Sequence, residues 1–357
     1  MACKVGRDAV HADLPVRNAT RMRSPPPPMP VPEPPPPSVP DVGFTVVRAT
    51  AQRLDEAMAA LLAAGPAAAA RFVRQAHLAK VRLDNVWCLA DAQGRYRLTA
   101  MAIVSTGRTA MVLNTHPRTS SEAQALGLAI AAALKTAKAE ADLAQALIEP
   151  GRPLDLDAVE AGGLTRLAVL DYLECTLTAA HRAQPDALGL GWEIVPLAQR
   201  EHLDASDASA LTLAARATLI HALEASYRDT LDCPGLAGVR DTTDVVDGHY
   251  GLGARRRVWL TAREHDETHG VCLLNVSPEN RSAELVYLGV APYARGRGIA
   301  RVLLDTGLRE CAAQGCISVA LAVDERNTFA HRLYAARGFR STSTRIALVR
   351  SLRNTSE

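Results

Sequence analysis

The sequence has almost no lysine. Only Lys4, Lys80, Lys135 and Lys138 occur, and the other 36 of its 40 basic residues (40 − 4) are arginine. The acidic residues number 38, so the formal net charge at pH 7 is only +2. Because a strongly basic surface draws proteins to phosphate backbones, this balance gives no reason to expect nucleic acid as a partner.

The chain also lacks the signatures of disulfide-bonded, zinc-binding and membrane-spanning proteins. Its seven cysteines are odd in number and scattered, without a C-x-x-C pair. This pattern favours reduced thiols over a disulfide framework or a zinc site. No apolar stretch of about 18 residues is free of charge, so a membrane span is not expected. The N-terminus lacks the apolar core of a signal peptide, and we predict a cytoplasmic location.

The first 40 residues differ from the rest of the chain. The whole sequence of 357 residues, 48% hydrophobic and 22% charged, suits two ordinary globular domains. Residues 1–40, however, end in a proline-rich run from Ser24 to Pro40. Such a run pairs poorly in helices or sheets, so a disordered tail is predicted over 1–40. A ligand for a polyproline-binding module is the alternative that composition leaves open.

The remaining chain contains one order of elements twice. In each half, helices precede three strands joined by tight turns, and a long helix and another strand follow. A fixed offset of 175 aligns the later parts without gaps, so that Pro292 falls on Pro117 (292 − 175). A repeat this long predicts a tandem duplication of one fold, with domains at 41–185 and 186–357.

The strongest local signal lies between Leu285 and Leu304. Leu285–Val290 is an apolar run typical of a buried strand, and Pro292 ends it. The loop R-G-R-G-I-A, residues 295–300, leads directly into a helical pattern. Glycine lets the backbone come close to a ligand, and the first N–H groups of a helix are unpaired. This layout is that of a phosphate-binding loop, to which the two arginines add positive charge.

A second segment follows the next apolar strand, Val319–Val323. Asn327 is placed to cap a helix and Gly338 to end it. Together, R-x-x-G-x-A after one strand and N-x-x-A-x-x-L-Y-x-x-x-G-F after the next resemble the GNAT superfamily of acyl-CoA-dependent N-acyltransferases. Both motifs match in order and spacing, and the resemblance covers about residues 190–350.

The resemblance implies a fold and a co-substrate. GNAT domains are α+β, with helices flanking a mixed, mostly antiparallel sheet in α/β/α layers, so tandem GNAT-like domains are expected. It also implies acetyl-CoA as the co-substrate, an amine-bearing acceptor and no metal. Asn327 is expected near the pantetheine arm. The residues expected to hold the pyrophosphate are Arg295, Gly296, Arg297, Gly298, Ile299 and Ala300.

The same resemblance implies how the site works. In GNAT domains the two strands separate at their ends, and pantetheine inserts between them against the backbone of Leu288, Gly289 and Val290. An N–H near Val290 would hold the oxyanion of the tetrahedral intermediate. Tyr334, seven residues after Asn327, would protonate the leaving thiolate. A core aromatic at helical spacing is the alternative for Tyr334.

The base that takes the proton of the amine is left open. Glu284, Asp324 and Asp232 are the candidates, although each could be an ordinary surface or capping carboxylate, and a water relay could replace them all. GNAT enzymes that acetylate protein N-termini often carry a glutamate five residues before the asparagine. Here that position is Ala322, which argues against this class of acceptor.

Two further segments have a functional and an ordinary interpretation. Cys233 precedes a proline in a loop expected to border the acceptor cleft. Direct transfer needs no covalent nucleophile, so we expect a wall residue. The segment Glu264–His269 contains metal-ligand residue types, but it falls in a presumed hairpin, where a solvated charged turn is expected.

The first copy lacks the residues that define the site in the second. Under the offset, Gly298 falls on Ala123 (298 − 175) and Tyr334 on Val159 (334 − 175). We therefore expect 41–185 to be a degenerate GNAT-like domain and 186–357 the catalytic N-acetyltransferase. Such a pair resembles the mycothiol synthase group of the superfamily. A non-catalytic acyl-CoA sensor or interaction module is the competing hypothesis.

Overall fold

The computed structural model describes residues 43–78, 81–186, 188–189, 191–197, 211–236, 238–250 and 256–353. The tail predicted over 1–40 lies outside the described residues. Elements of the first half are β1 (Thr45–Arg48), α1 (Leu54–Leu61), α2 (Pro66–Leu78), β2 (Val86–Ala90), β3 (Tyr96–Ser105), β4 (Thr109–Asn114), α3 (Ser120–Ala137), β5 (Leu143–Ile148), α4 (Pro153–Ala161) and β6 (Thr165–Thr176).

The second half has the same order of elements, and it too begins with a strand. Its elements are β7 (Trp192–Pro196), α5 (Leu213–Tyr227), α6 (Thr242–Tyr250), β8 (Arg256–Glu264), β9 (Glu267–Ser277), β10 (Ser282–Val290), α7 (Ile299–Ala313), β11 (Ser318–Asp324), α8 (Thr328–Ala335) and β12 (Arg340–Ser351). The offset found in the sequence also relates these elements. β12 begins 175 residues after β6 (340 − 165), and α8 begins 175 residues after α4 (328 − 153).

Within the described residues, the strands form one continuous sheet of twelve in the order β1-β2-β3-β4-β5-β12-β6-β11-β10-β9-β8-β7. Only β4–β5 and β10–β11 are parallel neighbours, and the other pairs are antiparallel. The predicted α+β class, with helices flanking a mixed, mostly antiparallel sheet, is thereby confirmed.

The two halves exchange their last strands. β12, from the second half, pairs with β5 of the first half, and β6, from the first half, pairs with β11 of the second half. β6 and β12 pair with each other at the centre of the sheet. The sequence predicted neither strand nor the exchange, and the halves together belong to one compact unit from Pro40 to Glu357.

The helices cover both faces of the sheet in the second half. Alternate residues on one strand serve opposite cores, because neighbouring side chains of a strand point to opposite faces. Leu260 and Leu274 pack in the core that contains α7, whereas Trp259 and Leu273 pack in the core that contains α5 and α6. This arrangement sets β10 and β11 between two helical layers.

No single helix in the described part of the chain is long and apolar enough to span a bilayer. One bent pair, Ala51–Leu61 with Pro66–His77, meets the length and composition criteria jointly, with 113° between its helices. The pair contributes Ala57, Met58 and Ala69 to a buried core with β2 and β3.

Candidate active site

β10 and β11 begin as paired parallel strands and then separate. Their register runs over three pairs and ends at Glu284↔Ala320. Beyond that point β10 pairs with β9 as far as Val290, and β11 pairs with β6 as far as Asp324. The result is a wedge that opens toward the C-terminal ends of both strands, as the resemblance to GNAT domains implied.

The edge of β10 that faces this wedge offers backbone donors. A bulge interrupts the β9–β10 register between Leu285 and Tyr287. The N–H of Ala291 donates to His269 on β9 at 2.8 Å. Because successive backbone groups alternate in direction along a strand, the N–H groups of Leu288 and Val290 point away from β9, into the wedge. A carbonyl or amide of a ligand can pair with them there.

Gly289 is required by packing on the face that carries α5. A Cβ at this position would lie 2.6 Å from the ring of Tyr287 and 2.8 Å from Ser226 Oγ. These two side chains hydrogen-bond to each other at 2.7 Å. The Tyr287–Ser226 pair escaped the sequence analysis, because nothing local relates residues 61 positions apart.

The loop predicted to bind phosphate has the required backbone. Gly296 and Gly298 both have φ of 79°, in the left-handed region that favours glycine, and Gly298 caps α7. A Cβ at Gly296 would meet nothing within 4 Å. The N–H groups of Ile299 and Ala300, in the first turn of α7, have no partner within the helix. The loop can therefore receive an anion through backbone donors and the helix dipole.

The two arginines of this loop differ in their surroundings. The Arg297 guanidinium pairs with Glu264 at 2.9 Å and lies 4.8 Å from the ring centroid of Trp192, with about half of the side chain exposed (47%). The Arg295 guanidinium instead turns into the protein and donates to backbone carbonyls. Of the two, Arg297 is the side chain that faces solvent beside the loop.

Asn327 and Tyr334 lie on the helix that borders the wedge. The side chain of Asn327 caps α8 by accepting from the N–H of Ala330 at 3.2 Å. Tyr334 is buried, with its ring centroid 5.5 Å from that of Phe339. Burial raises the pKa of Tyr334 far above its usual range, and the nearby Asp232 adds to this effect. The phenol therefore carries its proton at neutral pH and holds it more tightly than an exposed tyrosine does.

Asp324 is the acid least suited to act as a base. It is fully buried, and both its oxygens accept from the Arg326 guanidinium, at 2.7 and 3.0 Å. Burial opposes its ionisation, but the hydrogen bonds from Arg326 outweigh that effect and lower its pKa. A carboxylate held ionised in this way anchors the end of β11.

Glu284 and Asp232 both reach solvent, but the protein around them shields their carboxylates in part. Both carboxylates have raised pKa values. Partial burial of the carboxylate raises the pKa of Glu284, which lies where β10 and β11 part. Asp232 accepts from the backbone N–H of Asp324 at 3.0 Å. Partial burial and the charge of Asp324 raise the pKa of Asp232.

Three polar side chains meet in the equivalent region of the first half. His116 Nδ1 lies 2.9 Å from both oxygens of the buried Asp155, and Asn114 donates to Asp155 at 3.1 Å. Under the offset these three residues correspond to Ala291, Gly289 and Ala330 (116, 114 and 155, each + 175). The second half therefore has small residues where the first has a polar network.

The helices next to this network are also closer together in the first half. A Cβ at Gly127 on α3 would lie 2.6 Å from the Cβ of Ala161 on α4, and these helices pack closely along their length. The corresponding helices α7 and α8 contribute side chains such as Leu303 and Tyr334 to one core, but their backbones lie farther apart than those of α3 and α4. The backbones of the two helices are thus closer together in the first half than in the second.

The remaining predicted features show no second site. The turn after β8 has His265 and Asp266 at positive φ, as a tight hairpin requires, and Glu264–His269 forms no metal-binding group within the described residues. Cys233 is partly exposed, whereas Cys88, Cys175, Cys272, Cys311 and Cys316 are buried.

The comparisons with known proteins agree with this geometry. Residues 223–339 match the model of the Acetyltransferase (GNAT) family. An uncharacterized N-acetyltransferase from Mycobacterium tuberculosis is 36% identical over 122 residues, which are 32% of this chain and 78% of that relative. A mycothiol acetyltransferase from Beutenbergia cavernae is 36% identical over 85 residues, which are 23% of this chain and 28% of that relative.

A solved structure resembles the fold over most of this chain. A crystal structure of a GCN5-related N-acetyltransferase from Sphaerobacter thermophilus superposes with a TM-score of 0.52 and 19% sequence identity. The match covers 88% of this chain and 98% of that protein. At this identity the likeness shows the fold alone, and it extends over both halves.

Proposed function

This chain belongs to the GNAT acetyltransferase family, and we propose that its second half moves the acetyl group of acetyl-CoA to a primary amine. The observation that carries the proposal is the wedge between β10 and β11, which opens beside the glycine loop at the start of α7. Pantetheine would lie in the wedge, and the pyrophosphate would lie on the loop. The two relatives described above are both named acetyltransferases, which supports acetyl as the acyl group.

The reaction we propose is direct attack of the amine nitrogen on the thioester carbonyl. A new C–N bond forms, and the carbonyl oxygen becomes an oxyanion that the N–H of Val290 would stabilise. One such donor is typically worth ~100-fold or more in rate. The C–S bond then breaks, and Tyr334 would deliver its proton to the departing thiolate. The amine loses one proton to a base, directly or through water.

Two carboxylates are candidates for the base that takes the proton of the amine. Asp232 accepts from the N–H of Asp324 at the end of β11 and its charge raises the pKa of Tyr334, so this acid would lie near the proposed site of thiolate release. Glu284 lies at the vertex of the wedge, six residues along β10 from Val290, or about 20 Å at the rise of a strand. With the oxyanion held at Val290, Asp232 would take the proton near the reacting atoms, and Glu284 would act only through a chain of water molecules.

The first half would act as a silent copy that completes the acceptor cleft. We propose that residues 41–185 bind no coenzyme, because the His116–Asp155–Asn114 network takes the space of the ligand. The exchanged strand β6 pairs Tyr172 with Ala322 and Glu174 with Ala320. These residues share the face of the sheet that carries Glu284, so the acceptor would meet residues of both halves.

A screen of amine acceptors with acetyl-CoA tests this proposal, with release of coenzyme A thiol as the measurement. We expect release that depends on the amine and an acetylated product confirmed by mass. A protein that binds acetyl-CoA tightly yet releases thiol with no amine in a broad panel would instead support the sensor hypothesis.

A further inference from the structure

The guanidinium of Arg295 joins two separate parts of the chain. Its Nε donates to the carbonyl of Val290 at 2.9 Å, at the end of β10. Its terminal nitrogens donate to three carbonyls that end or follow α5, those of Ser226 at 3.0 Å, Arg228 at 2.7 Å and Asp229 at 2.9 Å. One side chain thus donates hydrogen bonds to four backbone carbonyls, all at normal hydrogen-bond distances.

These contacts suit arginine in particular. The last carbonyls of a helix lack partners in the helix and carry partial negative charge, so a cation placed there is stabilising. The planar fork of a guanidinium can reach carbonyls on both sides at once, whereas the single nitrogen of lysine cannot span them. Arg295 therefore holds the end of α5 in fixed relation to the end of β10.

The end of α5 and the chain after it, residues 226–236, are called the acceptor-side segment here. This segment carries Asp232 and Cys233 to the mouth of the wedge. Asp232 accepts from the N–H of Asp324, and the N–H of Cys233 donates to the Asp324 carboxylate at 3.3 Å. Asp229 and Cys233 have φ of 53° and 44°. Such values are unfavourable for residues other than glycine, so contacts outside the segment must hold its shape. Arg295 and Asp324 provide those contacts at its two ends.

We propose that Arg295 is a positioning residue that couples the phosphate-binding loop to the acceptor-side segment. Arg295 adjoins Gly296, so a ligand that fixes the loop also fixes the guanidinium and, through it, the segment bearing Asp232. The identity of that ligand rests on the proposed function, with acyl-CoA on the loop and the amine at the segment. The Arg295 side chain itself then holds protein carbonyls and leaves the pyrophosphate to backbone N–H groups.

The thiol of Cys233 offers a direct measure of the segment. Burial raises the pKa of Cys233 to about 12, and Asp232 and Asp324 add to the shift, so alkylation at neutral pH is slow while the segment is held. The experiment follows iodoacetamide labelling of Cys233 by peptide mass spectrometry, with and without acetyl-CoA. It compares the full chain with Arg295→Gln and Arg295→Lys. Arg309→Gln, near the far end of α7, is the matched control for loss of one arginine.

We expect labelling of Cys233 to be at least about tenfold faster in Arg295→Gln, because release of the segment lets the thiol ionise. Acetyl-CoA should slow labelling in the wild type and not in this variant, while calorimetry should find its affinity little changed. Arg295→Lys should behave like Arg295→Gln, and Arg309→Gln like the wild type.

Two results would overturn the inference. One is a labelling rate that Arg295→Gln leaves unchanged. The other is a collapse of acetyl-CoA affinity without faster labelling, which would make Arg295 a direct ligand of the coenzyme. If the wild type binds no acetyl-CoA at all, the proposed function fails, yet labelling without coenzyme still decides whether Arg295 holds the segment.

Discussion

Tyr334 combines two properties that the sequence could not separate, since it is a core aromatic and the proposed proton donor. Tyr334→Phe should lower turnover by ~100-fold or somewhat more, because the ring still packs but the acid is lost. The dissociation constant for acetyl-CoA should stay nearly unchanged. The rate of thiol release set beside calorimetric affinity is the measurement, and Tyr96→Phe, a buried tyrosine of the first half, is the control. An untouched rate in a destabilised variant would leave Tyr334 as a core residue only.

The raised pKa values of Glu284 and Asp232 predict how the rate depends on pH. A base must be deprotonated, so the rate should fall as the pH drops through its pKa. Because both pKa values are raised, the fall should begin above the range of an ordinary carboxylate. The test is the pH profile of kcat/KM for Glu284→Gln and Asp232→Asn. The variant that loses the acidic limb identifies the base, and a limb kept by both would point to a water relay.

At the scale of elements, the glycine turn before α7 should bind the coenzyme only in the second half. Calorimetry should give one acetyl-CoA site per chain, and Gly298→Glu should remove it, because a carboxylate would lie where the pyrophosphate binds. Gly298→Gln carries the same backbone strain and similar bulk without the charge, and should bind more tightly than Gly298→Glu. Two equal sites in the wild type would refute the idea of a silent first half.

The network between β4 and α4 should contribute stability and nothing to binding. Asp155→Ala leaves Asn114 and His116 without their shared acceptor, which typically costs about 1–3 kcal/mol. Urea unfolding should show this loss, while the affinity for acetyl-CoA stays the same. Asp157→Ala, an exposed acid two residues along α4, should have little effect. Equal stability of the two variants would mean that the network is not structural.

At the scale of the whole molecule, the strand exchange makes the halves depend on each other. A fragment of residues 186–357 contains the whole glycine loop and Tyr334, but it lacks β6 and exposes the edge of β11. Exposed edges promote aggregation, so this fragment should be poorly soluble and should not bind acetyl-CoA. A fragment of residues 165–357 keeps β6 and should be the more soluble of the two. A well-folded, binding-competent 186–357 fragment would show that the exchange is dispensable.

The sequence by itself determined the features that depend on neighbours along the chain. The glycines of residues 295–300, the Asn327 cap and the two strands β10 and β11 follow from turn chemistry, capping and apolar runs. The offset of 175 likewise revealed the duplication, because each copy keeps its spacing.

Only the tertiary structure decided where those parts meet. Each of β6 and β12 could pair with a strand of its own half or with the equivalent strand of the other half. Strand pairing over more than a hundred residues leaves no local trace in the sequence. The contacts of Arg295 with four carbonyls and the contacts of Asn114 and His116 with Asp155 depend on the same long-range packing. The residues of the proposed site could thus be named from the sequence, whereas the pairing of β6 with β11 could not.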